Sequence, residues 1–207
     1  MQKYSVFSLI KNAFSNHQNW EVAWKDPTPK SEYDVVIIGG GGHGLATAYY
    51  LAKEHNIRNV AIIEKGWIGG GNVGRNTTII RSNFMYDANA RFNEFGMDLW
   101  RNLSQELNFN VMFSPRGIIN LAHSDAQMNA YARRGNSMRL NGIDAKLLDR
   151  DEVKKLIPMA DFSDEVRFPI FGGLMQPSAG TARHDAVAWG YARQADDMGV
   201  DIIQPVS

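Results

Sequence analysis

An α/β fold is predicted from three stretches of the sequence. "DVVIIGG" (34–40) is a continuous apolar run closed by glycine, "GGGGHG" (39–44) has the spacing G-x-G-x-x-G, and "NVAIIEKG" (59–66) is a second apolar run one helix later. Apolar runs without polar alternation suggest strands buried on both faces of a parallel sheet. The expected architecture is a Rossmann-like dinucleotide-binding domain with an α+β domain inserted into it, truncated before its C-terminal half.

Residues 1–32 read as an arm and a linker. Val6, Leu9, Ile10 and Phe14 line one side of an amphipathic arm. Lys3, Ser5, Ser8, Lys11 and Asn12 interrupt it, so it lacks the continuous apolar core of a secretory signal. "WKDPTPKSEY" (24–33) is a polar, proline-interrupted linker. Residues 33–85 hold the βαβ unit, in which Leu45, Ala48, Tyr49 and Ala52 follow the i, i+3, i+4, i+7 spacing of an amphipathic helix.

Residues 86–170 differ in character. "RFNEFGMDLWRNL" (91–103) carries Phe92, Phe95, Leu99 and Leu103 at helical spacing, and "VMFSPRGIINLAH" (111–123) reads as two short strands around Pro115-Arg116-Gly117. A helix is expected over Asp125 to Leu140, and Asp149 is placed to cap a short helix that ends before Pro158. Residues 171–207 return to the first domain through a helix over Asp185 to Met198, closed by Gly199, and a strand in "VDIIQPV" (200–206). A buried-type strand so near the last residue predicts pairing partners still to come, as expected of the N-terminal part of a larger protein.

Composition narrows the functional classes. Lys plus Arg (22) balances Asp plus Glu (22), which leaves no global basic field for nucleic acid or a membrane surface. Without cysteine there is no disulfide, thiolate metal site or Cys nucleophile, so redox chemistry has to come from a cofactor. No stretch approaches the roughly 20 apolar residues of a membrane-spanning helix. His17, His55 and His123 show no metal-ligand spacing and read as surface or packing residues, with no metal expected. Trp20, Trp24, Trp67, Trp100 and Trp189 show no stacking repeat and read as core or interface residues.

Each fingerprint glycine has a mechanical role. Gly39 permits the tight turn, Gly41 lets the backbone approach a pyrophosphate, and Gly44 allows close helix–strand packing. Glu64 closes the second strand 20 residues after Gly44, where its carboxylate can accept from ribose hydroxyls and repel a 2′-phosphate, disfavouring NADP. "GWIGGGNVGRNTTIIRSNF" (66–84) then adds a second glycine cluster, two arginines and two threonines with little helix signal. Such a loop can fold back over a pyrophosphate and reach an isoalloxazine ring, which favours FAD over NAD. By themselves, Arg75 and Arg81 are also readable as solvated loop charges. Arg183 and His184 precede Asp185 at a helix start, where the dipole welcomes the acid and not the basic pair; His184 is by itself also readable as a half-exposed helix-start residue.

"VVIIGGGGHGLATAYYLAKEH" (35–55), "EKGWIGGGNVGRNTTIIRSN" (64–83) and "ARHDAVAWGYARQADDMGVDIIQ" (182–204) together resemble the D-amino-acid-oxidase-like flavoproteins, which include sarcosine-, glycine- and dimethylglycine-oxidising enzymes. Within that family they are similar to the beta-subunit branch of the heterotetrameric sarcosine oxidases. The resemblance implies FAD held at Gly39, Gly41, Gly42, His43 and Gly44, with Glu64 on the ribose and Asn72, Arg75, Thr77, Thr78 and Ile79 approaching the flavin. It implies Arg81 on the substrate carboxylate, and FMN bonded covalently to His184 with Arg183 beside its phosphate or reduced ring. The implied reaction is oxidative demethylation of sarcosine to glycine and a one-carbon unit, with O2 reduced to H2O2, in a cytoplasmic complex with alpha, gamma and delta subunits. Beta subunits of this branch are about twice this length, which puts activity of the chain alone in question. A single-flavin amine or amino-acid oxidase or dehydrogenase of the same fold would keep Gly39 to Gly44, Glu64 and Arg81, and an inactive FAD-binding fragment would show FAD affinity at most.

Overall fold

The computed structural model describes residues 6–18, 25 and 27–204; Trp20, Trp24 and the last part of "VDIIQPV" lie outside them. The chain divides into two compact units, Met1–Arg75 with Val187–Ser207, and Asn76–Ala186. From the sequence the changes of character fall at 85/86 and 170/171. Strand pairing within the second unit accounts for the difference, because it draws in residues on the outer side of both positions.

The first unit is a three-stranded parallel sheet. Strands β1 (Val35–Ile38), β2 (Val60–Ile63) and β8 (Asp201–Ile203) lie in the order β1-β2-β8, with Val35 opposite Val60 and Ile62 opposite Ile202. Helix α2 (Gly42–His55) buries Leu45, Ala48, Tyr49 and Ala52, the four residues whose spacing predicts its inner face. Helix α6 (His184–Asp197) contributes Tyr191, Ala192 and Ala195 to the core of this unit, where the Tyr191 ring meets Tyr49 edge-on at 5.5 Å. Burying side chains such as Leu45 and Ile62 stabilises the unit by roughly 1.5–3 kcal/mol each. The linker is tied down: the Tyr33 hydroxyl donates to Asp201 (3.0 Å) and Lys30 pairs with the same carboxylate (2.8 Å). Helix α1 (Val6–Phe14) forms the expected arm, and none of its residues is buried.

β1 departs from the expected strand buried on both faces. β2 is largely buried, but β1 alternates, leaving Val36 50% and Ile38 90% exposed. β1 is the edge of this sheet, and its second face has no cover among the described residues.

The second unit centres on an antiparallel sheet ordered β4-β6-β5, from strands β4 (Ile118–Ala122), β5 (Lys146–Asp149) and β6 (Gly172–Gln176). β6 has weak local strand character because of its paired glycines, yet pairing on both edges makes it central. A Cβ on Gly173 would lie 2.9 Å from Ile119 Cγ2 and 3.0 Å from the Asn120 carbonyl, so close approach of the strands requires glycine there. A smaller ribbon pairs β3 (Ile79–Ile80) with β7 (Gly180–Thr181). Helix α4 (Asp125–Leu140) covers the sheet, and α5 (Arg150–Leu156) begins on the expected Asp149 cap, completed by Glu152 into a capping box.

Three further expectations are corrected. In "VMFSPRGIINLAH" only the second half is a strand; Ser114 makes a single bridge to Thr181, and Pro115 has no N–H to extend a ladder. In α3 (Asp87–Glu106) the buried residues are Ala90, Met97 and Leu103, whereas Phe92 and Phe95 are 76% and 65% exposed. The helix instead turns inward the face carrying Glu94, whose carboxylate accepts from the Ser82 hydroxyl at 2.5 Å. Of the tryptophans expected in the core or at an interface, Trp67 and Trp189 are exposed, which corrects the core alternative alone, while Trp100 is half-buried against Phe113.

Candidate functional site

The glycine turn of the first unit is held from several sides. Gly39 has φ +106°, a backbone conformation L side chains rarely adopt, and its N–H donates to the Ile63 carbonyl at 2.8 Å. Gly44 lies against the Gly39 carbonyl and Ile37, where a Cβ would clash, as its proposed packing role requires. A Cβ on Gly41 would meet open space, and no side chain caps α2 at that residue. The turn therefore presents an uncapped helix start with nothing built over Gly41, a cradle suited to a phosphate. His43 is exposed on the first helical turn.

Glu64 leaves β2 directly beside this cradle. Its Oε2 accepts from the Gly40 N–H at 2.7 Å and its Oε1 from the Gly66 N–H at 2.8 Å. Both oxygens are anchored, yet each keeps a lone pair for a further donor such as a ribose hydroxyl. The glycine-rich segment then doubles back onto the turn: Gly69 N–H donates to the Gly40 carbonyl at 3.0 Å, and a Cβ on Gly42 would lie 2.8 Å from Val73. Asn72 and Arg75 bound a 3-10 turn and are both exposed.

The remaining expected site residues belong to the second unit. Thr77 and Ile79 are exposed, and Thr78 has φ +62°, a strained setting for a β-branched residue, with its N–H donated to Asn76 Oδ1 at 2.6 Å. Ile79 pairs with Thr181, and the Ala182 N–H donates to the Thr78 carbonyl at 3.1 Å. Segments about a hundred residues apart, "TTII" and "TARH", thus run side by side. The Arg183 N–H is held by the Val111 carbonyl at 3.1 Å.

At the start of α6, Arg183 bonds Asp185 through two nitrogens, Nε at 2.9 Å and Nη2 at 2.6 Å. The pair holds the Asp185 carboxyl well below the ordinary carboxylate range and raises the Arg183 guanidinium. The Arg183 charge is consequently offset by Asp185 next to it, which accounts for the arginine of the basic pair at this helix mouth. His184 is half-buried, and its Nδ1 is shut off from solvent without a hydrogen-bond partner among the described residues.

Arg81 sits in a polar network that the sequence did not reveal. Its Nη1 donates to Asn83 Oδ1 at 2.6 Å, and its guanidinium lies over the Phe84 ring at 5.2 Å. The fully buried Gln176 accepts from the Ser82 N–H (3.1 Å) and donates to the hydroxyls of Ser82 (2.7 Å) and Ser178 (3.2 Å). Arg134 reaches Asn83 from α4. The Ser82–Gln176 and Asn83–Arg134 pairs span 94 and 51 residues, so no local spacing betrays them. The one available signal is the polar run Arg81-Ser82-Asn83 directly after the apolar Ile79-Ile80.

Among the described residues no helix is long and apolar enough to cross a membrane. The family model described as "DAO: FAD dependent oxidoreductase" matches residues 34–206. Sarcosine oxidase subunit beta of Rhizobium meliloti (strain 1021) is 61% identical over 202 residues, covering 98% of this chain and 48% of the relative. The subunit of the same name from Rhodobacter capsulatus is 53% identical over 204 residues, covering 99% and 49%. The chain spans about half the length of these curated relatives. Among solved structures, L-proline dehydrogenase from P. horikoshii superposes with a TM-score of 0.77 at 28% identity, over 86% of this chain and 45% of that one. Glycine oxidase from Bacillus cereus, at 23% identity and a TM-score of 0.73 over 84% and 46%, shares the fold.

Proposed function

The chain belongs to the FAD dependent oxidoreductase family, and from that premise we propose that it is the flavin-binding part of a sarcosine-oxidising beta subunit. The relatives named sarcosine oxidase subunit beta, 52–61% identical, support the substrate. The structural observation carrying the reading is Arg81: only Nη1 is engaged among the described residues, and no carboxylate pairs with it, which leaves Nε and Nη2 for a substrate carboxylate. A guanidinium edge offers two parallel donors to such a group.

In this proposal the glycine turn, His43 and Glu64 hold FAD, with Asn72, Arg75, Thr77, Thr78 and Ile79 serving the flavin end. The open space over Gly41 and the anchored Glu64 carboxylate fit a pyrophosphate and a ribose. Bound FAD supplies a two-electron acceptor for the substrate's N-methyl C–H bond. Arg81 orients the amino acid by its carboxylate, fixing which carbon is presented. Hydrolysis of the oxidised product gives glycine and a one-carbon unit, and O2 takes up two electrons and two protons to become H2O2.

The same proposal gives His184 a covalent FMN. A buried, unpartnered Nδ1 fits a ring whose other nitrogen bears the attachment, because a neutral alkylated imidazole keeps only a lone pair there. Arg183, which pairs with Asp185, serves the FMN phosphate or the reduced ring. Alpha, gamma and delta subunits in a cytoplasmic heterotetramer complete the assembly.

Acid denaturation followed by gel filtration and peptide mass spectrometry tests this. FAD is expected in the small-molecule fraction, with yellow colour and the added mass of FMN on the His184 peptide. Complete loss of flavin with an unmodified His184 peptide refutes the covalent site, and absence of any flavin refutes the FAD reading.

A further inference from the structure

We propose that Arg134 is a positioning residue for the carboxylate site built on Arg81, an inference that rests on the reading of Arg81 above. Asn83 is fully buried, and its carboxamide is oriented by donating from Nδ2 to Asn120 Oδ1 at 2.7 Å. Its Oδ1 consequently faces two guanidinium groups, Arg81 Nη1 at 2.6 Å and Arg134 Nη2 at 3.3 Å. Arg134 also donates from Nε to the Asn83 main-chain carbonyl at 2.6 Å, so it grips both carbonyl oxygens of one residue.

Two cations sharing one neutral acceptor repel each other. Burial first, and then the charge of Arg81, lower the Arg134 pKa from its ordinary value. Among the described residues neither guanidinium has a carboxylate within ion-pair reach, so their repulsion is uncompensated by the protein. An incoming carboxylate on the Nε–Nη2 edge of Arg81 supplies the missing charge. Arg134 acts behind it, fixing Asn83, which fixes the rotamer of Arg81, and adding a second positive charge to the field at the ligand.

The test uses the 207-residue chain with 15N-labelled arginine. The side-chain Nε–H signals are followed while sodium acetate is added, with sodium chloride at equal ionic strength as the control. In the unsubstituted chain the Arg81 signal is expected to shift saturably with acetate and not with chloride. Arg134→Gln is expected to weaken acetate binding about tenfold and to move the unliganded Arg81 signal toward that of a solvated arginine. Arg134→Lys keeps the charge but not the two-point grip, and an intermediate loss is expected; it also carries the test if the Gln variant fails to fold. Acetate affinities within about twofold of the unsubstituted chain in the folded variants overturn the role of Arg134 and leave Arg81 standing. No acetate-specific shift of Arg81 in the unsubstituted chain overturns the carboxylate site itself, and this inference with it.

Discussion

Replacing Gln176 by Met isolates the contribution of the polar network to the second unit. The side chains are similar in volume, so little cavity is created. What changes is hydrogen bonding: the buried Ser82 N–H loses its acceptor at 3.1 Å, and the hydroxyls of Ser82 and Ser178 lose donors at 2.7 and 3.2 Å. Both hydroxyls keep another partner, Glu94 and Asp144 respectively, so their loss is small. The dominant cost is the stranded N–H, about 1–3 kcal/mol, and the expected total is about 2–3 kcal/mol. Urea unfolding followed by far-ultraviolet circular dichroism and tryptophan fluorescence measures it as a lower midpoint at unchanged slope. A loss below about 0.5 kcal/mol would mean that water reaches Ser82 and that the region around Arg81 is not sealed.

Two further substitutions address the other ends of the site. Gly44→Ala drives a Cβ into the Gly39 carbonyl, and a loss of roughly 1–3 kcal/mol in stability with weakened flavin retention is expected; unchanged values in urea unfolding and FAD titration would falsify the packing role. Arg183→Gln frees Asp185, whose titration midpoint in carboxyl-detected NMR should rise toward the ordinary aspartate value. Because Asp185 is lowered in the folded chain, its contribution is present above the ordinary aspartate value and fades as pH falls through the lowered one; on this exposed pair the stability change should be small. A midpoint that stays put would remove Arg183 as the cause.

The first unit was the more legible of the two because its signals are local. The glycine spacing, the apolar runs and the Leu45–Ala52 stripe each lie within one stretch of chain, and the structure holds them in the expected strand–turn–helix–strand order. The second unit depends on distant pairings. Gly172–Gln176 has no strand signal of its own and becomes central through partners at Ile118–Ala122 and Lys146–Asp149. The inward face of α3 is hidden for a related reason: of Phe92, Phe95, Leu99 and Leu103 at helical spacing only Leu103 is buried, and the Glu94 carboxylate is drawn inward by Ser82. At the site, only the family resemblance around "TTIIR" points to Arg81, and nothing in the sequence points to Asn83, Arg134 or Gln176, since a buried polar network has no periodicity to detect.

The uncovered face of β1 governs how this chain behaves in the test tube. Among the described residues nothing pairs with the outer edge of β1, beside Val36 and Ile38 in contact with water, and such an edge is a template on which another strand can grow. At high protein concentration the 207-residue chain is therefore prone to edge-to-edge aggregation, and a charged residue in place of Ile38, its most exposed strand position, is the simplest solubilising change.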